Sequence, residues 1–581
     1  LILAHKVWWQ YPGALLSFMF SKTGRKMLFK VVAFIFRKFK PNSGSEAYQY
    51  TPLSRFSLQR LQIESQRFSY RPLISILVPT YNTPLPLLEK CIDSVRGQVY
   101  ENWELCIADD NSTSEALKEY LTTLKNEPRI TVQFRTHNGH IAACSNTALE
   151  MARGEYTALL DHDDELAPEA LVELVKVLQT RPTLDFLYTD EDKIDEQGNH
   201  FDPVRKPDWS PDTFYSWNYI CHLAMFRTTI LKRIGGFSAA YNGSQDYELI
   251  LRFTEQTHQV AHIPKIVYHW RMHSESVAMN THAKPYAYLN GKKALEDSLK
   301  RAGKNAEVEM HLGEMLGMYS VHYALHKQSK ISIIIPTRNC AFLVKICIDS
   351  IFQQSSYTSY EIILIDNNSD DPAFFQLLEE YAAKYPGIFR VVRAEIPFNF
   401  SALMNIGAKA ATGDYLLLLN NDTKVISPDW LERMLAHGQQ PHTGAVGARL
   451  LYKNNTIQHN GIVLHSNGIA EHVYAYEKDQ HAPPQAECIR NYPAVTAACL
   501  LVEKQKYWEV GGFDENLAVD YNDIDFCLKL GEKGYHNVCL PHVKLHHFES
   551  ISRGKEKKSM DKYAQYLSER KNFTEKWLTA R

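Results

Sequence analysis

Short apolar runs that break off into acidic or amide residues recur along this chain, alternating with stretches of helical period. Leu73-Ile-Ser-Ile-Leu-Val-Pro-Thr-Tyr-Asn82 reads as a buried strand running into a loop, residues 85–97 as a helix, and Glu104-Leu-Cys-Ile-Ala-Asp-Asp-Asn-Ser112 as the next strand. That order predicts a βαβ unit with a right-handed crossover. A strand over 130–134, the loop His137-Asn-Gly-His140 and a helix through Asn146 and Ala152 then lead to Tyr156-Thr-Ala-Leu-Leu-Asp-His-Asp-Asp-Glu-Leu166. There the apolar run ends in three carboxylates, Asp161, Asp163 and Asp164. Ligands of open α/β sheets bind just beyond the carboxyl ends of strands. Carboxylates this close raise one another's pKa unless a cation joins them, and Mg2+ or Mn2+ held by one or two carboxylates plus phosphate oxygens is the usual arrangement. The plainer reading is an Asp-rich turn capping the helix that starts at Pro168.

A second copy decides between these. Lys330-Ile-Ser-Ile-Ile-Ile-Pro-Thr-Arg-Asn339, Ile362-Ile-Leu-Ile-Asp-Asn-Asn-Ser369 and Leu416-Leu-Leu-Leu-Asn-Asn-Asp422 repeat the programme. Gly235-Gly-Phe237 with Gln245-Asp-Tyr-Glu248 returns as Gly511-Gly-Phe513 with Asn522-Asp-Ile-Asp525, and His269 returns as His546. Ile74 to Ile331 and Asp109 to Asp366 are each 257 positions apart, whereas Asp246 to Asp523 and His269 to His546 are each 277 apart. Two homologous domains with about twenty extra residues in the second, mostly between Asp422 and Gly511, account for this. A helix-capping Asp or a satisfied core His has no reason to recur at matched spacing with an acidic strand end.

The chain therefore divides into a basic N-terminal segment and linker (1–72), a first α/β domain (73–284), a linking helix (285–329), a second α/β domain (330–555) and a C-terminal helix (556–581). At 581 residues, 45% hydrophobic and 22% charged, it is an ordinary globular composition of more than one domain. The net charge of −2 gives no ground for a nucleic-acid partner. Charge is uneven, however. Residues 1–45 contain no Asp or Glu, and over 22–40 Lys22, Lys26, Lys30 and Arg37 recur opposite Met27, Leu28, Val31, Phe34, Ile35 and Phe39. This predicts an amphipathic helix suited to an anionic membrane surface. No signal peptide or membrane-spanning run is read from the sequence. The ten cysteines are scattered, which suits a reducing compartment, and the phosphate-binding Gly-x-Gly-x-x-Gly of dinucleotide sites is missing.

The strand with Pro79-Thr-Tyr-Asn82, the Asp109-Asp-Asn-Ser112 corner, Asp161-His-Asp-Asp164, the Gly-Gly-Phe237 element with Gln245-Asp-Tyr-Glu248, and their second copies resemble glycosyltransferase family 2 with the GT-A fold. The second domain, with Phe398-Asn-Phe-Ser401, Leu419-Asn-Asn-Asp422 and Gln458-His-Asn-Gly461, is similar to the bacterial rhamnosyltransferase branch. The resemblance implies two tandem GT-A domains and inverting transfer from a nucleotide-sugar donor, with dTDP-rhamnose the leading guess, to a lipid-linked glycan of O-antigen or capsule type. It places the enzyme at the cytoplasmic face of the bacterial plasma membrane. Carried onto this sequence, it assigns Tyr81, Asp109, Asp110 and Asp366 to the nucleotide. Asp161, Asp163, Asp164 and Asp422 go to Mg2+ or Mn2+ with His269 and His546 as further ligands, and Asp246 and Asp523 become the catalytic bases. Asn420 and Asn421 replace Asp161 and His162 in the second copy, which leaves more of the metal to His546.

Overall fold

The computed structural model describes residues 48–272, 285–548 and 560–578, and the basic stretch 22–40 lies outside them. Two sheets carry the chain, wound alike. The first is built from β1 (Ile74–Thr80), β2 (Trp103–Asp109), β3 (Ile130–Phe134), β4 (Tyr156–Leu159), β5 (Glu165–Leu166), β6 (Phe186–Ile194), β7 (His200–Val204), β8 (Ala224–Arg227) and β9 (Val260–Arg271). Their order is β3-β2-β1-β4-β8-β6-β9-β5, with β7 paired to β6. A hairpin of β10 (Ala306–Met310) and β11 (Tyr319–Tyr323) follows the helix Pro285–Arg301, so the linking segment is a helix plus a hairpin.

The second sheet comprises β12 (Ile331–Thr337), β13 (Tyr360–Asp366), β14 (Phe389–Arg393), β15 (Tyr415–Leu419), β16 (Thr423–Val425), β17 (Thr443–Leu451), β18 (Ile457–His459), β21 (Arg490–Tyr492), β22 (Cys499–Glu503) and β23 (His536–His547); β19 (Ile462–Leu464) and β20 (Ala470–His472) form a small ribbon apart from it. Its order, β14-β13-β12-β15-β22-β17-β23-β16, repeats the first strand for strand. The extra residues of the second copy fall mainly between β17 and β22, where β18 to β21 replace the shorter β7 and the helix Pro211–Ser216.

Alternation explains why these runs become central strands. Ile74, Ile76 and Val78 enter one core and Leu77 the other; Ile331, Ile333 and Ile335 against Ile334 repeat the pattern. Each domain has the same polar lock beneath β1 or β12. Ser75 Oγ donates to Glu104 (2.6 Å) and accepts from Gly154 N (2.8 Å); Ser332 Oγ donates to Glu361 (2.7 Å) and accepts from Gly413 N (2.9 Å). A Cβ on Gly154 would lie 2.6 Å from Leu73 O, and one on Gly413 2.5 Å from Lys330 O, so only glycine fits at that crossing.

The Gly-Gly-Phe elements are fastened by an asparagine in each domain. Asn146 donates to Phe237 O and accepts from Phe237 N, both at 2.8 Å. Asn405 does the same to Phe513, at 3.0 Å each. The helices Gln245–Thr254 and Asn522–Glu532, which carry Asp246 and Asp523, follow this clamp in each domain.

The two domains meet through the helix Pro211–Ser216. Asp212 N donates to Asn491 Oδ1 (2.8 Å), Asn491 Nδ2 donates to Asp212 Oδ2 (2.7 Å), and His442 Nε2 lies 3.3 Å from Asp212 Oδ1. The C-terminal helix Met560–Trp577 packs on the second domain through buried Phe573, and Trp577 Nε1 donates to Asp525 (2.9 Å). Among the described residues no helix is long and apolar enough to cross a membrane.

Candidate active sites

The second domain opens a cleft of about 320 Å3 at the carboxyl ends of β12, β13 and β15. Arg338 and Asn367 line one side, Asn420, Asn421 and Asp422 another, and Thr496, Asp523 and His547 the remainder. His547 Nδ1 lies 2.8 Å from Gln458 Oε1, an oxygen that can only accept, so Nδ1 carries the proton. Nε2 then faces Asp422 Oδ1 at 3.2 Å and receives Asn420 Nδ2 at 3.2 Å. A ring nitrogen and a carboxylate oxygen at that distance need a proton or a cation between them, and a hydrogen-bonded outer nitrogen is the usual support of a metal-binding imidazole. Asp523 lies in the first turn of its helix, with Oδ2 accepting from Ala497 N (3.1 Å).

His546, the sequence-derived ligand, is elsewhere. Successive side chains of β23 project to opposite faces, so His546 Nε2 reaches Asn455 Oδ1 (2.8 Å) while its neighbour His547 enters the cleft. The matching strand pairs, Glu165 with His269 and Lys424 with His546, put His269 on that same outer face. His269 Nδ1 accordingly meets Asp192 (2.6 Å) and not the acidic strand end. The residue after it, in the place of His547, is Trp270.

In the first domain the acidic end of β4 is met by a histidine from the loop that enters β8. His222, just before β8, sets Nε2 3.6 Å from Asp161 Oδ2 and Nδ1 3.3 Å from Glu191, and ligand atoms of Asp161, Asp164 and His222 lie within 4.8 Å of one another. Burial works against charge on this imidazole, but its bonds to Asp161 and Glu191 outweigh that and raise its pKa well above the ordinary value. Asp164 is 1% exposed and occupied on both oxygens, by Tyr268 Oη (2.5 Å) and Arg271 N (2.7 Å), so it anchors β5 to β9. β1 pairs Ile74 with Tyr156 as β12 pairs Ile331 with Tyr415, which makes Asp163 the counterpart of Asp422. Asp246 Oδ2 accepts from Asn218 Nδ2 (2.8 Å), and burial raises its carboxyl above the ordinary value.

At the nucleotide-type corner the acids turn inward. Asp109 accepts from Ser112 N (3.0 Å) and Oγ (2.5 Å), Asp366 accepts from Ser369 N (3.1 Å) and pairs with Arg393 (3.0 Å), and both are buried. Asp110 is held by Arg135 Nε (2.7 Å) and Gly139 N (2.9 Å). Tyr81 is exposed at this corner, and its second-domain counterpart is Arg338. His222, His547, Arg338, Asn367 and Thr496 were not singled out by the sequence. Strand parity could have found His547, whereas nothing local marks His222.

Residues 75–235 and 332–506 match the family model described as Glycosyl transferase family 2. The chain belongs to this family. Its two glycosyltransferase family 2 regions cover β1 to β8 and β12 to β22 of the two sheets, as tandem GT-A domains, and end ahead of β9 and β23. The chain is 40% identical over 527 residues to the uncharacterized protein y4gI of Sinorhizobium fredii, covering 90% of this chain and 58% of that protein. It is 35% identical over 491 residues to the O-antigen biosynthesis protein RfbC of Myxococcus xanthus, covering 84% of this chain and 38% of that protein. It thus spans less than two thirds of either relative's length. Among solved structures, GalNAc-T7 with UDP, GalNAc and Mn2+ matches with a TM-score of 0.34 at 17% identity, over 42% of this chain and 47% of that one.

Proposed function

We propose that this chain is an inverting glycosyltransferase with two active sites, which adds sugars from nucleotide-diphosphate donors to a growing bacterial polysaccharide. The observation that carries the reading is the second-domain cleft, where a base-type carboxylate, Asp523, shares one cavity with Asp422 and His547. The similarity to an O-antigen biosynthesis protein over most of this chain supports a polysaccharide of that class. A lipid-linked acceptor, a dTDP-rhamnose donor and a site of action at the inner face of the plasma membrane complete the proposal.

Asp422 and His547 in the second domain, and Asp161 and Asp163 in the first, are the groups that would hold Mg2+ or Mn2+. The acceptor pair at 3.2 Å, with Gln458 fixing the outer nitrogen, suits a divalent cation. Such an ion supplies Lewis-acid stabilisation of the leaving diphosphate. The protein's own part is to hold the donor across the strand ends and to remove a proton. Asp523, or Asp246 in the first domain, takes the proton of the acceptor hydroxyl as its oxygen attacks the anomeric carbon. One displacement inverts that centre, and no carboxylate need act as a covalent nucleophile. Two sites on one chain hand the growing end over at high effective concentration, which suits a repeat with two linkages.

A second reading has one catalytic domain and one that binds nucleotide-sugar or glycan. The difference between the sites favours it: Trp270 replaces the cleft histidine, and His222 already neutralises Asp161. Transfer to a lipid-like synthetic acceptor separates the two, with wild type, Asp246→Asn and Asp523→Asn offered dTDP-rhamnose and then other donors, and products read by mass spectrometry and linkage analysis. Mutants that each stop after a different single addition, and together restore polymer, establish two activities. If one substitution abolishes all transfer and the other changes nothing, only one domain is an enzyme.

A further inference from the structure

The histidine that leaves the active site has a place of its own. Asp192, on β6 and fully buried, receives His269 Nδ1 at 2.6 Å on Oδ1 and His200 Nδ1 at 2.9 Å on Oδ2. Ligand atoms of the three residues lie within 4.8 Å of one another. Tyr48 Oη donates to Asp192 Oδ2 (2.6 Å), and the Tyr50 ring stacks on His200 at 4.1 Å and meets His269 edge-on at 4.7 Å, so the segment 48–50 roofs the group. Glu169 is 8% exposed, has one carboxylate oxygen without a hydrogen-bond partner, and interacts electrostatically with both His269 and Tyr50.

The fold does not require this cluster. Asp192 pairs with His269 across β6 and β9 as Leu451 pairs with His546 across β17 and β23, so the second domain builds the same strands with leucine in the place of the aspartate. Burying Asp192, His269 and Glu169, with His200 at their edge, where a leucine beside the histidine serves the second domain is costly without a compensating ligand.

We propose that Asp192, His200 and His269 form a transition-metal site of the Zn2+ class, separate from the catalytic centres, that clamps the segment 48–50 onto the first domain. Two imidazole nitrogens and one carboxylate suit a borderline cation, whereas Mg2+ favours an all-oxygen shell. Without metal, imidazole protons bridge the same atoms. One divalent cation replaces them, releasing up to two protons, and Glu169 or a water completes four-coordination. Tyr48 then orients the aspartate from outside. The clamp also fixes β6 at Asp192, next to Glu191, whose carboxylate holds His222 beside Asp161.

The test is Zn2+ titration by calorimetry and Co2+ absorption on the full chain after chelator dialysis, comparing wild type, His200→Ala, His200→Cys and Asp161→Asn. His200 is partly exposed, so these substitutions leave the core intact, which a urea midpoint checks. One equivalent of Zn2+ should bind to wild type and to Asp161→Asn, at least tenfold more weakly to His200→Ala, and Co2+ on His200→Cys should show thiolate-to-cobalt charge transfer. No Zn2+ binding by wild type at 100-fold molar excess, equal affinity in His200→Ala, loss of the site in Asp161→Asn, or a His200→Cys protein without the thiolate band would overturn the proposal.

Discussion

Asp422 Oδ1 lies 3.2 Å from His547 Nε2 at the end of β15, while Trp270 occupies the histidine's place in the first domain. The two sites therefore differ in what they can offer a cation. In an Asp246→Asn background, which on the proposed mechanism leaves transfer to the second domain, His547→Ala should raise the Mn2+ concentration for half-maximal rate by about 100-fold and Gln458→Leu by about 10-fold. His546→Ala, on the outer face of β23, should change it by less than about 2-fold. A Mn2+ titration of initial rates reads all three.

Asn405 ties together both polar groups of Phe513 and accepts from Tyr507 Oη (2.7 Å), buried throughout. Alanine there strands a buried N–H and C=O, and each stranded group costs about 1–3 kcal/mol. Asn405→Ala should thus lose about 2–4 kcal/mol by urea unfolding. Asn405→Asp, which keeps the oxygen that accepts from Phe513 N and Tyr507 Oη and loses the donor to Phe513 O, should lose less.

The base we propose for the first domain, Asp246, can take a proton only when ionised, and burial raises its pKa above the ordinary aspartate value. First-domain transfer should therefore fall as pH drops through that raised pKa, above where an ordinary aspartate protonates. The charges of His222 and Asp161 push it in opposite directions, the first lowering and the second raising it. A pH–rate profile of the Asp523→Asn protein measures the limb, and Asn218→Ala, which removes a donor to the carboxylate, should move it further up.

The two-domain α/β plan was legible because central parallel strands are written as unbroken apolar runs ending in acids, and because the runs come twice. The second-domain strand end was also legible, with Asp422 and Asp523 in one cleft. What failed was parity: at a strand end one residue decides which face a side chain serves, and His546-His547 offered both. Asp109 and Asp366 resemble ligands by position, but a following Ser112 or Ser369 folds the turn back onto them. His222 comes from the loop ahead of β8, 61 positions after Asp161, a pairing that the antiparallel run of β8 beside β4 creates. The interdomain contacts left no trace either, since Asp212, His437 and His442 lie in no repeated pattern.

That interface sets the response to acid. His437 is 2% exposed beneath the Tyr323 ring (4.9 Å), and burial pulls its pKa down from 6.5 to about 4. A histidine whose folded pKa is lowered binds its proton first in the unfolded chain, so the neutral ring's contribution is whole above the unfolded pKa and is lost as pH falls from about 6.5 towards 4. His536 is shifted downward by burial too, and Asp212, lowered mainly by His442 against its own burial, loses its contribution further into acid. Between pH 7.5 and pH 5 the His437 share is about 2 kcal/mol. Urea unfolding at the two pH values should show that loss in wild type, and His437→Leu should reduce it by about the same amount; an undiminished loss would place the acid sensitivity in other groups.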